Sequence, residues 1–246
     1  MCAFTTKTAV YVLARGFSGF EILAIMGTVM TVYGVFYAVI ENDIRRVLSY
    51  HIISQVGYMV AGVGIGTEMA INGACAHAFA HILYKALLFM GAGSVLYMTG
   101  TAKLSKLGGL YKYMPLTMIF YVVGAVSISG FPFFSGFVTK SMIVASAHEQ
   151  GRLWLVTFLN LAGIGTFLSV GLKVTYFAFF GKETPVEIEA KEPPKSMLWA
   201  MGLTSLLCFV IGIYPKLLYS LLPFATDYQP YTLTHFSEAM QMLSHQ

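Results

Sequence analysis

Carboxylates are missing from this sequence where buried cations would need them. No aspartate or glutamate stands in the middle of an apolar run: Glu21, Glu41, Asp43, Glu68 and Glu149 all fall at ends of such runs or in breaks between them. Charge of either sign is scarce, at 11% of 246 residues, where a soluble domain carries about 25%. With 57% hydrophobic residues and a mean hydropathy of +0.71, this excludes a soluble domain. The fold class is all-α, integral to a cell (inner) membrane and multi-pass. Cysteine is rare too. Cys2, Cys75 and Cys208 lie far apart with no Cys-x-x-Cys or Cys/His spacing, so neither a disulfide framework nor a zinc site is expected. There is no glycine-rich phosphate loop and no nucleophile elbow. No cofactor and no metal are therefore expected, and no hydrolytic or redox site belongs to the chain itself. The net charge of +4 comes without a basic cluster and does not read as a nucleic-acid footprint. Lys7 and Arg15 interrupt the first residues in a helix-like run, unlike a signal peptide.

What the sequence does have is concentrated in residues 75–92. His77, His81 and Lys85 follow one another at intervals of four in an otherwise apolar run from Met69 to Met98. On a helix each such step turns by only about 40° and rises about 6 Å, so the three form one shallow stripe. The run exceeds the roughly 20 residues needed to cross a bilayer, which puts two imidazoles and an ammonium at membrane depth. A lysine at a helix centre costs about 2.5–3.5 kcal/mol on insertion scales, and intramembrane ionisable residues are candidate functional groups for that reason. The competing reading has Lys85 snorkel to an interface while the histidines bond neighbouring backbone. The long uncharged flanks on both sides make that reach difficult.

In chain order, residues 1–19 end a partial helix that carries Lys7. Residues 20–180 form the main transmembrane domain, with spans over 20–40, 47–66, 69–98 and 116–129. Asp43 is set to cap the second of these, ahead of Arg45 and Arg46. The run then enters Gly130-Phe-Pro-Phe-Phe-Ser-Gly136, where Pro132 removes a backbone donor and Gly130 and Gly136 permit unusual dihedrals. A helix breaks or restarts here. Residues 133–180 then read either as two plain spans or as a discontinuous helix followed by one span; broken helices occur where irregular backbone lines a cavity. A polar loop over 181–195 and a segment 196–246, with a span to Ile213 and a weakly amphipathic end over 232–243, complete about 6–7 transmembrane helices. Arg45, Arg46, Lys103, Lys106 and Lys112 fall in loops on one side, which the positive-inside rule places in the cytoplasm.

Four lysines thus sit within spans: Lys7, Lys85, Lys140 and Lys173. Buried ammoniums need carboxylate partners, water or deprotonation. A lysine whose charge can be switched by a neighbour carries protons, and histidine does so at its ordinary pKa. The pattern is that of a proton relay through water-filled cavities. Lys140, four residues beyond the Gly/Pro break, is a candidate at a half-helix end. Lys7 divides between an interfacial and a relay role. Lys173, seven residues from Phe180, can snorkel to that end and is carried as the candidate whose loss should be mild. Tyr58, Tyr84 and Tyr176 read as belt or packing residues.

Three motifs then suggest a family. The run Asp43-Ile-Arg-Arg-Val-Leu-Ser-Tyr-His-Ile-Ile-Ser-Gln-Val-Gly-Tyr58 resembles the signature of the antiporter-like subunits shared by respiratory complex I and the Mrp-type cation/proton antiporters. So do His77-x-x-x-His81-x-x-x-Lys85-Ala-Leu-Leu-Phe89 and Gly130-Phe-Pro-Phe-Phe-Ser-Gly-Phe-Val-Thr-Lys140, in order and spacing. The likeness covers about residues 5–213, and the stretches 103–115 and 173–181 resemble the D-type branch of the Mrp subunits. It implies two inverted five-helix repeats, each with a half-channel and a discontinuous helix, here near Gly130–Arg152. Lys85 would be the central lysine of the second half-channel, Lys140 the terminal lysine on the broken helix, His77 and His81 the bridge, and Lys7 a connection between halves. The first repeat, with its glutamate–lysine pair, has no counterpart here. The sequence therefore reads as a C-terminal half whose carboxylates lie on another chain or in further sequence. The implied function is proton or Na⁺/H⁺ translocation within a multisubunit Mrp-type antiporter, beside other membrane subunits. The alternatives are a proton-pumping subunit of an NADH:quinone oxidoreductase or hydrogenase-type complex, and a non-transporting structural fragment.

Overall fold

The computed structural model describes residues 4–182 and 190–231. Most of the described residues are helical: α1 Thr5–Gly16, α2 Glu21–Ile40, α3 Ile44–Ile65, α4 Glu68–Thr99, α5 Pro115–Ser129, α6 Ser135–Glu149, α7 from Leu153, α8 Lys195–Ile213 and the short α9 Lys216–Tyr219. Four helices are long and apolar enough to cross a membrane: Glu21–Ile40, Glu68–Thr99, Leu153–Phe180 and Lys195–Ile213. The 22 residues of α3 are long enough as well, but its inner face carries His51, Ser54 and Gln55, all fully buried. The expected interfacial segment over 232–243 lies outside the described residues.

The helix starts follow local chemistry. The Asp43 carboxylate accepts from the Arg45 and Arg46 amides at 2.9 and 3.2 Å, the cap the sequence predicts for α3. Thr67 caps α4 at Ala70. Pro115 opens α5, and Glu192, reaching across from the polar loop, takes the Leu116 amide at 2.6 Å and the Thr117 hydroxyl at 2.8 Å. That loop is thus tied to a helix end at Glu192.

Small residues bring α2 and α3 into close approach. A Cβ placed on Gly27, Gly34, Gly57 or Gly64 would run into the backbone or the Thr31 hydroxyl of the facing helix. With no hydrophobic drive between helices in lipid, such close approach is how membrane helices gain packing energy. The α2–α3 turn is then pinned to the α4–α5 connection. Ile44 donates to the Ala102 carbonyl at 2.9 Å, Leu104 to Asn42 at 2.9 Å, and the Asn42 amide group to the Ser105 hydroxyl at 3.0 Å. The basic loops around 43 and 103 therefore share one face.

The Gly130 break is where the sequence puts it. Gly130 has φ 79°, and Phe133 has φ 71°, the one positive value on a non-glycine among the described residues. A bulky residue held there costs on the order of 1–3 kcal/mol; its ring stacks on Tyr231 with centroids 5.6 Å apart. A second break at Gln150–Arg152 ends α6, so residues 133–180 hold two helices, α6 and α7. The 15-residue α5 and α6 are each only about 22 Å long, short of a hydrocarbon core of about 30 Å.

From Phe167 to Val174 and from Tyr176 to Phe180, α7 widens into π-helix. Lys173 rides on this stretch. Its ammonium donates to the carbonyls of Ala38 (3.3 Å), Val39 (2.6 Å) and Glu41 (2.5 Å), the end of α2. Nearby, burial works against the Glu41 carboxylate. The Asn42 and Asp43 amides and the Arg46 and Lys173 charges outweigh that effect and hold its carboxyl below the usual range. Lys173 thus satisfies carbonyls that a helix terminus leaves open, and a cation there stabilises a helix by about 0.3–1 kcal/mol, up to about 2 where partly buried. We expect Lys173→Ala to lower the melting temperature of the purified assembly by a few degrees and to leave transport within twofold. A transport loss greater than tenfold at normal stability would give Lys173 a part in the relay instead.

Candidate functional site

The polar residues of α4 meet those of three other helices in the interior. His77, His81 and Lys85 are all at or below 2% exposure, as are Tyr58 on α3 and Tyr84 on α4. α1 brings Lys7 against this stripe, with Nζ 2.6 Å from His81 Nδ1. α6 brings Thr139, whose Oγ1 lies 2.9 Å from His77 Nδ1. The Thr139 hydroxyl donates back to the Ser135 carbonyl at 3.1 Å, so its oxygen accepts from His77 Nδ1–H. That tautomer leaves His77 Nε2 as an acceptor for the Tyr84 hydroxyl, 3.3 Å away. Neutral His77 is therefore satisfied on both nitrogens. His81 differs: with Lys7 donating to Nδ1, its Nε2 is buried with no hydrogen-bond partner among the described residues.

Lys140 lies beside the same cluster. Its Nζ donates to the Ile128 carbonyl at 2.6 Å, across the Gly130 break at the end of α5, and sits 5.0 Å from the centre of the Tyr58 ring. The Tyr58 ring in turn lies 5.8 Å from His77, and its hydroxyl donates to the Leu159 carbonyl on α7. Lys85 places its ammonium 5.7 Å from the centre of Phe89, one turn on. Lys7, Lys85, His77 and Lys140 all lie close enough to act electrostatically on His81. The helices that build the cluster carry carboxylates only at their ends: Glu68 opens α4, Glu149 closes α6, and Asp43 precedes α3.

Residues 1–168 match the family "NADH:quinone oxidoreductase/Mrp antiporter, TM". The chain belongs to this family. Over 195 residues it is 37% identical to a Na(+)/H(+) antiporter subunit from Alkalihalophilus pseudofirmus, a match covering 75% of this chain and 39% of that protein. Among solved structures it superposes on a chain of the Mrp complex from Dietzia sp. DQ12-45-1b with a TM-score of 0.79 at 23% identity, covering 85% of this chain and 48% of that one. It also superposes on a chain of the archaeal membrane-bound sulfane sulfur reductase, again with a TM-score of 0.79, at 26% identity over 91% of this chain and 40% of that one. The chain thus spans less than half the length of these relatives, and it is an integral membrane protein like other members of the family.

In this family member the sequence candidates fall into two groups. Lys7, His77, His81, Lys85 and Lys140 come together, and the Gly130, Pro132 and Gly136 break positions Lys140. Lys173 stands apart, at the α2 terminus. Tyr58 and Tyr84, read from the sequence as belt or packing residues, lie inside the cluster, whereas Tyr176 is 55% exposed. Thr139 was not legible as a partner, although it directly precedes Lys140. Nor were Gln55 and His51 on α3, whose spacing of four from each other matches that of the α4 stripe they face.

Proposed function

We propose that the chain translocates protons, or exchanges them for sodium ions, as a membrane module of a multisubunit Mrp-type antiporter. One observation carries this reading: the Lys7 ammonium and the His81 imidazole share a 2.6 Å hydrogen bond deep among Lys85, His77 and Lys140. That is a geometry along which a proton passes without either group moving far. Taking a proton at Nδ1, His81 becomes an imidazolium and can release one from Nε2, on the far side of the ring. Thr139 and Tyr84 hold His77 in one orientation beside it. Because every neighbour is a base of the same charge type, protonating one group disfavours protonating the next. A proton therefore advances through the cluster and does not accumulate there. Further membrane subunits are the expected partners and the expected source of the carboxylates that balance these lysines.

The similarity to the Alkalihalophilus pseudofirmus protein supports the antiporter. The likeness to a chain of the sulfane sulfur reductase, which spans 91% of this sequence, favours a second reading. In it the same relay pumps protons for a redox reaction held elsewhere in a complex. Inverted vesicles carrying the complete set of subunits separate the two. Sodium-driven proton movement that Lys85→Ala abolishes supports the antiporter. Proton movement driven by an electron donor such as NADH or formate, and abolished by the same variant, supports the redox complex. Activity of either kind that survives in Lys85→Ala overturns the relay.

A further inference from the structure

We infer that His51 is a proton-carrying station that extends the buried relay from Lys85 toward the face bearing the basic loops. This rests on the relay reading above. His51 is fully buried on α3, and its Nε2 lies 2.6 Å from the Ser169 hydroxyl oxygen. Ser169 donates its own hydrogen to the Gly165 carbonyl, also at 2.6 Å. Its oxygen therefore accepts from His51 Nε2–H, and the proton of the neutral ring stands on Nε2. That leaves Nδ1 as a buried lone pair with no hydrogen-bond partner among the described residues. Buried groups left unsatisfied in this way call for an explanation in function or in water.

The surroundings point to function. The charged groups that act on His51 come from three different helices: Lys85 on α4, Lys140 on α6 and Lys173 on the π-helical part of α7. Along its own helix, Gln55 follows one turn on, with its Oε1 3.5 Å from the Tyr84 hydroxyl that also reaches His77. Polar side chains thus line α3 and α4 from His77 and Tyr84 past Gln55 to His51, with the Tyr84 hydroxyl able to donate to either His77 or Gln55.

Depth gives this polar line a direction. The Ile44–Ala102 hydrogen bond levels the start of α3 with the end of α4. From that level His51 is about 10 Å along α3, and Lys85 about 21 Å back along α4. His51 therefore lies roughly 10 Å nearer the basic face than Lys85. Ser169 belongs to the π-helical stretch, a distortion frequently found at functional sites. A proton leaving the Lys85 ammonium travels over intervening waters and is taken up at Nδ1. The imidazolium that forms returns to neutral by giving its Nε2 proton to the Ser169 oxygen, as Ser169 releases its own hydroxyl proton to a water on the side of the basic loops.

The test uses the assembled complex in inverted vesicles, with proton flux expressed per assembled complex so that a folding defect changes amount and not rate. His51→Gln keeps a hydrogen-bonding group beside Ser169 but cannot titrate. We expect its flux to fall at least tenfold, and Ser169→Ala, which frees Nε2, to displace the pH profile of transport. Flux within twofold of wild type in His51→Gln overturns the inference. Should His51→Gln fail to assemble, an unchanged pH profile in Ser169→Ala overturns it equally. Lys85→Ala measured alongside separates the levels: if it too transports normally, the relay itself is wrong, and if it alone is inactive, only the His51 branch is.

Discussion

Replacing Lys85 with alanine is expected to abolish proton transport while the chain inserts and assembles as well as wild type. The two halves of that expectation come from one cause. An ammonium at the centre of an apolar helix costs about 2.5–3.5 kcal/mol on insertion scales, so its removal makes insertion easier. A loss of transport then cannot be blamed on a missing protein, and the amount of complex in the membrane checks this. Lys85 is 2% exposed and stands four residues beyond His81 on the same face of α4. Alanine there removes both the proton-carrying group and the charge that acts on His81 and His51. Lys85→Arg divides these roles, since arginine keeps the charge but does not release its proton in a protein. We expect Lys85→Arg to be as inactive as Lys85→Ala. Transport preserved in the arginine variant would show that a fixed positive charge suffices.

Lys140→Ala should have nearly as large an effect, for two separable reasons. The ammonium sits beside the histidine cluster over Tyr58, and it also holds the Ile128 carbonyl at 2.6 Å across the Gly130 break. A hydrogen bond to a charged group is worth about 1.5–3 kcal/mol. Alanine should therefore lower the melting temperature of the complex as well as reduce proton flux at least tenfold. Lys140→Arg retains a donor for Ile128 and should recover most of the stability but little of the transport. If the arginine variant recovers both, Lys140 is a strut for the broken helix and not a member of the relay.

Much of this was legible in the sequence because membrane helices declare themselves by length and by the rarity of charge. The spacing of His77, His81 and Lys85 fixes one face whatever surrounds it. The Asp43 cap, the Gly130–Gly136 break and the shared family motifs are equally local. Lys173 shows where local reasoning stopped. Its distance from Phe180 allowed snorkelling or a relay role, and its actual partners, the carbonyls closing α2, lie more than 130 residues away in sequence. The π-helical stretch was hidden for another reason: in a run that is apolar on every side, hydrophobic periodicity cannot distinguish 3.6 residues per turn from a wider helix.

The sequence by itself determined which groups can carry charge, at what depth they lie and which of them share a helix face, because those follow from helix geometry and the cost of burying charge. Only the tertiary structure decided who meets whom. Thr139 reaches His77 over 62 residues, Lys7 reaches His81 over 74 and Ser169 reaches His51 over 118. In lipid no hydrophobic pattern orients a helix about its axis. The rotation that points each polar group at its partner is set by the glycine-lined contact of α2 with α3, the ties between the basic loops and the break before α6.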